Sequence, residues 1–159
     1  WGGNAARALL QHIRTRCDAV TCDVMDSSRK AFDWENNMWA NLSENGHSNQ
    51  THCHPGAYWS AVYYVDDGYR GDSDPALGGE LVFLDPRMPM VRMGIPDLRY
   101  RRPDGSVDHQ EIWLRPAEGR LVIFPSWLMH SVRPYGGVGT RISIAINLSL
   151  RAKLLPDEE

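Results

Sequence analysis

After Gly46 the chain breaks into short runs rich in Val, Ile, Tyr and Phe, each bounded by Gly, Pro or Asp, and this punctuation constrains the fold more than any other feature. The runs are Tyr58 to Val65, Glu80 to Leu84, Leu98 to Arg102, His109 to Leu114, Arg120 to Phe124, His130 to Arg133 and Arg141 to Leu148. Such residues fit a pleated, half-buried surface, and Gly, Pro and Asp supply the turns between strands. Regular short strands of this kind point to a sandwich or barrel in place of a βαβ fold. Pro103-Asp104-Gly105 falls between two runs and reads as a hairpin tip.

The part before Gly46 has a different texture. Ala5, Ala8, Leu9, Ile13 and Val20 recur at near-helical spacing, which predicts an amphipathic helix from Asn4 to about Cys17, capped by Asn4 and laid over one outer face of the sheet. Trp34 to Leu42 reads as a strand ended by Glu44-Asn45-Gly46. With 159 residues and 42% apolar composition, one domain is expected: residues 1–25 as helix and linker, 34–149 as the β core, and 156–159 as an acidic, disordered tail.

A net charge of -3 argues against a nucleic-acid surface, and Arg99, Arg101 and Arg102 flank a turn where charges are ordinarily solvated. No apolar run approaches the roughly 18 residues needed to cross a bilayer, and no secretory leader is recognisable. Cys17, Cys22 and Cys53 are an odd set without a disulfide framework. A reducing compartment is expected, which makes the cytoplasm the expected location. The chain opens at Trp1 without an initiator Met, so its true N-terminus is left open.

Three groups carry the chemistry. In His52-Cys53-His54, extended backbone would project positions i and i+2 from one face, so both imidazoles could reach one cation while Cys53 turns away. His130 follows the apolar run Leu121 to Phe124 and the segment Pro125-Ser126-Trp127-Leu128-Met129. Alone, the first pair reads as two ordinary surface histidines and His130 as a satisfied core histidine. Together they offer two ligands from one strand and a third from a distant one, the pattern of an open, facially coordinated iron site. The third group is Arg141-Ile142-Ser143, where alternation puts a guanidinium and a hydroxyl on one face with Ala145 and Asn147. A planar guanidinium grips a carboxylate through parallel hydrogen bonds, so an anion anchor near a metal suggests a dicarboxylate ligand. An edge-strand arginine facing water is the alternative.

From Trp39 to Leu148 the chain resembles the Fe(II)/2-oxoglutarate-dependent dioxygenase superfamily, closest to a bacterial and phage group with His-x-His-Pro and Phe-Pro-Ser-Trp-Leu-x-His elements. His52-x-His54-Pro55, Phe124 to His130, and Arg141 eleven positions after His130 carry the likeness, with Arg141-x-Ser143 as the carboxylate-binding element. Gly78-Gly79-Glu80-Leu81-Val82-Phe83 and Pro116-x-x-Gly119-x-Leu121-x-x-Phe124 extend it, and Val62-Tyr63-Tyr64-Val65 resembles a strand of prolyl hydroxylase relatives.

The resemblance implies a mainly β fold with a flanking helix, a double-stranded β-helix or jelly roll of cupin-like type. It also implies Fe(II) on His52, His54 and His130, with 2-oxoglutarate held by Arg141, Ser143 and Tyr64. The implied reaction is hydroxylation of an unidentified small molecule or peptide, with release of succinate and carbon dioxide. Trp39, Asn41, Asn49, Tyr58 and Trp127 are candidate pocket residues, Pro86 to Pro96 with Met88, Met90 and Met93 a candidate lid, and Trp113 a core residue. One departure stands out. His54 occupies the place of an Asp or Glu, so either three histidines bind the metal or Asp66, Asp67 or Glu80 substitutes. If His54 points elsewhere, a vacant position filled by water or halide is a third outcome. A cupin-like metal-binding module without activity and a thiol-oxidising three-histidine dioxygenase are the competing readings.

Overall fold

The computed structural model describes residues 2–25, 27, 32–87, 99–107 and 109–152. They form one helix, α1 (Gly3–Ala19), a short 3-10 turn at Pro75–Leu77, and eight strands: β1 (Phe32–Ser43), β2 (Asn49–His52), β3 (Trp59–Asp66), β4 (Leu81–Leu84), β5 (Glu111–Leu114), β6 (Leu121–Pro125), β7 (His130–Val132) and β8 (Arg141–Ala152). The strands make two four-stranded sheets, ordered β1-β8-β3-β6 and β2-β7-β4-β5. The antiparallel pairs nest within one another, β1 with β8, β2 with β7, β3 with β6 and β4 with β5. Such nesting is a long hairpin rolled up so that its strands fall alternately into two facing sheets, which is the jelly roll. The expected fold class holds.

Strand β8 shows how sequence alternation builds the layers. Ile144, Ile146 and Leu148 face α1, while Arg141, Ser143, Ala145 and Asn147 face the space between the sheets. On the helix side, Ile13 and Cys17 are fully buried against Trp34, Ala61, Ile146 and Leu148, and a fully buried Ile or Leu contributes roughly 1.5–3 kcal/mol. Polar contacts set the helix in register: Arg14 donates to the Trp34 carbonyl at 3.1 Å, and the Trp34 indole donates to Asp18 at 2.6 Å. The helix therefore covers one outer sheet face, as expected. Among the described residues, no helix is long and apolar enough to cross a membrane.

Several local expectations fail. Asn4 is inside the helix and accepts a hydrogen bond from Arg7, and the N-cap is Gly2, whose φ of 77° suits the left-handed entry that glycine tolerates. Residues 99–102 make no strand: the bridge Arg101↔Val107, with the bonds from Arg102 N–H to the Ser106 carbonyl and from Gly105 N–H to the Arg102 carbonyl, closes the Pro103-Asp104-Gly105 turn. Trp113 is 53% exposed, not core, because β5 is the outer strand of its sheet, and the Arg133 guanidinium lies over its ring at 4.3 Å. The candidate lid residues Met88, Met90 and Met93 and the tail 156–159 lie outside the described residues.

Candidate metal and co-substrate site

His52 ends β2 and stands opposite His130, the first residue of β7, in the antiparallel ladder. His54 is not the alternate residue of one continuous strand, since β2 stops at His52. It is brought in by its own backbone N–H, which donates to the Ser126 carbonyl at 2.9 Å. The three rings still gather, with centroids 4.3 Å apart for His52 and His130, 5.0 Å for His52 and His54, and 5.1 Å for His54 and His130. One nitrogen from each ring lies within 4.8 Å of the others.

The ring orientations suit metal binding. The Nδ1 atoms of His52 and His130 stand 2.7 Å from the Gln50 carbonyl and 2.8 Å from the Leu128 carbonyl. A carbonyl can only accept, so each Nδ1 carries a proton, and in the neutral ring that leaves the lone pair on Nε2. Burial pushes the pKa of His130 down to about 4, against an opposing effect of the Leu128 carbonyl. Burial and, next, the nearby His52 also lower that of His54. Neutral imidazoles are what a metal requires. The alternative carboxylates are engaged elsewhere: Asp66 pairs with Arg70, Asp67 accepts from the Tyr69 N–H, and Glu80 pairs with Arg133 at 3.0 Å. The candidate set is three histidines.

Arg141 opens β8 and is 5% exposed. Its Nη1 donates to the Gly79 carbonyl at 2.7 Å, its Nε is buried without a partner, and no carboxylate among the described residues pairs with it. A buried charge left without a counter-ion is costly, which is an argument for an anionic ligand. Ser143, two residues on, is buried on the same face, and Tyr64 sits opposite Ser143 across the β3–β8 ladder. Burial raises the Tyr64 pKa to about 12 despite the opposing pull of Arg141, so its hydroxyl keeps its proton and can donate.

One cavity of about 560 Å³ between the sheets is lined by all six of these side chains, the three histidines together with Tyr64, Arg141 and Ser143. Trp39, Asn41 and Asn49 line it as expected. Tyr58 and Trp127 do not: Tyr58 packs against Trp34 and Trp59, and Trp127 is 60% exposed. Ser60 and His47 also line the cavity and went unread in the sequence. For Ser60 a signal existed, because it alternates with Tyr64 on β3 and its hydroxyl donates to Asn147 on the face already assigned to Arg141.

Fold and site thus define a jelly-roll protein whose cavity brings together a three-histidine group and a buried guanidinium with no carboxylate partner among the described residues. Residues 37–147 match the family described as "Putative 2OG-Fe(II) oxygenase", and the chain belongs to that family, whose chemistry implies Fe(II) and 2-oxoglutarate. Among solved structures it is similar to a 2OG-Fe(II) oxygenase family oxidoreductase from Burkholderia pseudomallei, at 16% identity and TM-score 0.50, over 76% of this chain and 47% of that one. It is similar in the same measure to a prolyl-4-hydroxylase from Pseudomonas putida, at 22% identity and TM-score 0.50, over 76% of this chain and 53% of that one. These likenesses support the fold, and the chain spans about half the length of the two structures. No curated protein matches.

Proposed function

We propose that the chain is an Fe(II)- and 2-oxoglutarate-dependent oxygenase that hydroxylates a C–H bond of a small-molecule or peptide substrate. In this reaction the substrate C–H, dioxygen and 2-oxoglutarate give the C–OH product, succinate and carbon dioxide. The observation that carries the reading is the coincidence, in one cavity, of three clustered imidazoles and a buried guanidinium with no carboxylate partner among the described residues.

His52, His54 and His130 would hold the iron. Arg141 and Ser143 would take the far carboxylate of the diacid, with the Tyr64 hydroxyl as a further donor. Iron with a chelating 2-oxo acid supplies dioxygen activation coupled to decarboxylation. The protein's share is orientation and shielding from water. Val62, Leu81, Phe124 and Val132 give the cavity apolar walls, and the carbonyls of Gln50 and Leu128 hold two of the rings in one tautomer.

Anaerobic titration of the Fe(II) protein with 2-oxoglutarate tests both ligands together. A visible metal-to-keto-acid charge-transfer band is expected, followed by succinate release on admission of air even without substrate. A band that never forms would overturn the proposal. The three-histidine set, with no carboxylate, is the one observation that favours a dioxygenase needing no 2-oxo acid. That reading predicts oxygen uptake without succinate.

A further inference from the structure

The Arg141 guanidinium is held from two sides. Its Nη1 bonds the Gly79 carbonyl, and its Cζ stands 4.9 Å from the centre of the Tyr135 ring, within the range of cation–π attraction. Tyr135 is itself locked: it is 1% exposed, and its hydroxyl donates to the Gly139 carbonyl at 2.8 Å. Behind it, Tyr69 packs at 5.6 Å and donates to the Gly78 carbonyl at 2.6 Å. Arg115, bonded to the carbonyls of Asp72 and Asp74, lies over the Tyr69 ring at 4.0 Å. Two aromatic rings thus stand between two cations, each cation fixed by backbone carbonyls.

The Gly78-Gly79 pair makes this arrangement possible. At Gly79, φ is +79° and an added Cβ would meet Arg141 Nη1 at 2.8 Å and the Tyr135 ring at 3.0 Å. At Gly78, φ is +59° and an added Cβ would meet the Pro134 carbonyl oxygen at 2.3 Å. Any side chain at residue 79 would push the arginine from its seat.

We propose that Tyr135 and Gly79 are positioning residues that set Arg141 in one pose, and that this pose gives the cavity its preference for the five-carbon diacid over 2-oxo acids lacking a second carboxylate. The inference rests on Arg141 as the diacid anchor. A free arginine would lose rotamer freedom on binding, and here that freedom is lost on folding, so more of the interaction appears as affinity.

The test compares dissociation constants of 2-oxoglutarate and 2-oxobutyrate on the anaerobic Fe(II) protein, read from the charge-transfer band. Tyr135→Met keeps bulk and removes the ring face, and should lower the preference for 2-oxoglutarate about tenfold. Fe(II) affinity and 2-oxobutyrate binding should not change, and Tyr135→Phe should keep the wild-type preference. An unchanged preference in Tyr135→Met, or equal weakening of both acids, overturns the inference. A wild-type protein with no preference overturns the anchor reading itself, and the inference with it. Should Tyr135→Met not fold, the Arg141 Nε–H resonance of the wild type decides, assigned by its loss in Arg141→Met. One signal protected from exchange supports a fixed pose, and exchange as fast as that of exposed arginines overturns it.

Discussion

His52 and His130 face each other across the β2–β7 ladder with ring centroids 4.3 Å apart, each ring bonded through Nδ1 to the carbonyl two residues before it. The two strands thus deliver two preset ligands, and His54 completes the group from outside the ladder. Removing any one ring should weaken divalent metal binding by about 100-fold or more, since even outer-shell partners of metal ligands contribute 10–100-fold. The informative substitution is at His54. His54→Ala should lose affinity, and His54→Asp, which supplies the carboxylate usual in the resembled superfamily, should recover most of it. Calorimetric Co(II) titration under nitrogen checks both, and an Ala variant that binds like wild type would remove His54 from the site.

Arg141 predicts a conflict between stability and function. Its charge is buried with no described carboxylate beside it, and the desolvation cost of a single buried ion, on the order of a few kcal/mol, is relieved when an apolar group of similar volume replaces it. Against this, Arg141→Met leaves the Gly79 carbonyl without its donor, at a cost of about 1–3 kcal/mol. The two effects nearly balance, so the thermal midpoint of the metal-free protein should not fall, while 2-oxoglutarate binding should be lost and metal binding kept. A marked drop in midpoint, measured by circular dichroism, would mean that the arginine serves the fold.

Legibility in the sequence followed the source of each signal. Alternation along β8 separated Ile144, Ile146 and Leu148 from Arg141, Ser143 and Asn147, because a period of two is a local property. Of β2, the sequence marks only the His52 end as extended, because Asn49, Gln50 and Thr51 carry no apolar alternation and their strand character comes from pairing with β7. Trp113 and Trp127 are exposed because one lies on the outer strand β5 and the other in the turn between β6 and β7, and aromatic content says nothing about either placement. The convergence of His54 is legible in the sequence but its geometry is not: a backbone bond to Ser126, beyond the end of β2, takes the place of strand alternation.

Ile13 offers a way to separate packing from chemistry. It is 0% exposed in the layer between α1 and β8, on the face of β8 opposite Arg141 and Asn147. Ile13→Ala should cost about 2–5 kcal/mol through lost burial and the cavity left behind. Metal and 2-oxoglutarate affinities, measured well below the unfolding midpoint, should stay as in wild type. Urea denaturation gives the first quantity, and a changed metal affinity would show that the helix layer and the site are coupled.

Cys17 gives a pH prediction with a definite sign. Burial against the β8 face, and secondarily the charge of Asp18, raise its pKa from an ordinary 9.0 to about 11. The folded state then holds the thiol proton more tightly than the unfolded chain does. This contribution to stability is complete below pH 9, falls as pH rises, and is gone once pH passes about 11. Unfolding midpoints should therefore decline between pH 9 and 11, and the decline should be shallower in Cys17→Ala, which has no proton to lose there. Cys22 is exposed, so at pH 8 a thiol reagent should modify it quickly and leave Cys17 untouched until denaturant is added. Mass spectrometry of the labelled peptides reads the result directly, and rapid labelling of Cys17 in the native protein would show that α1 opens away from the sheet far more often than its packing implies.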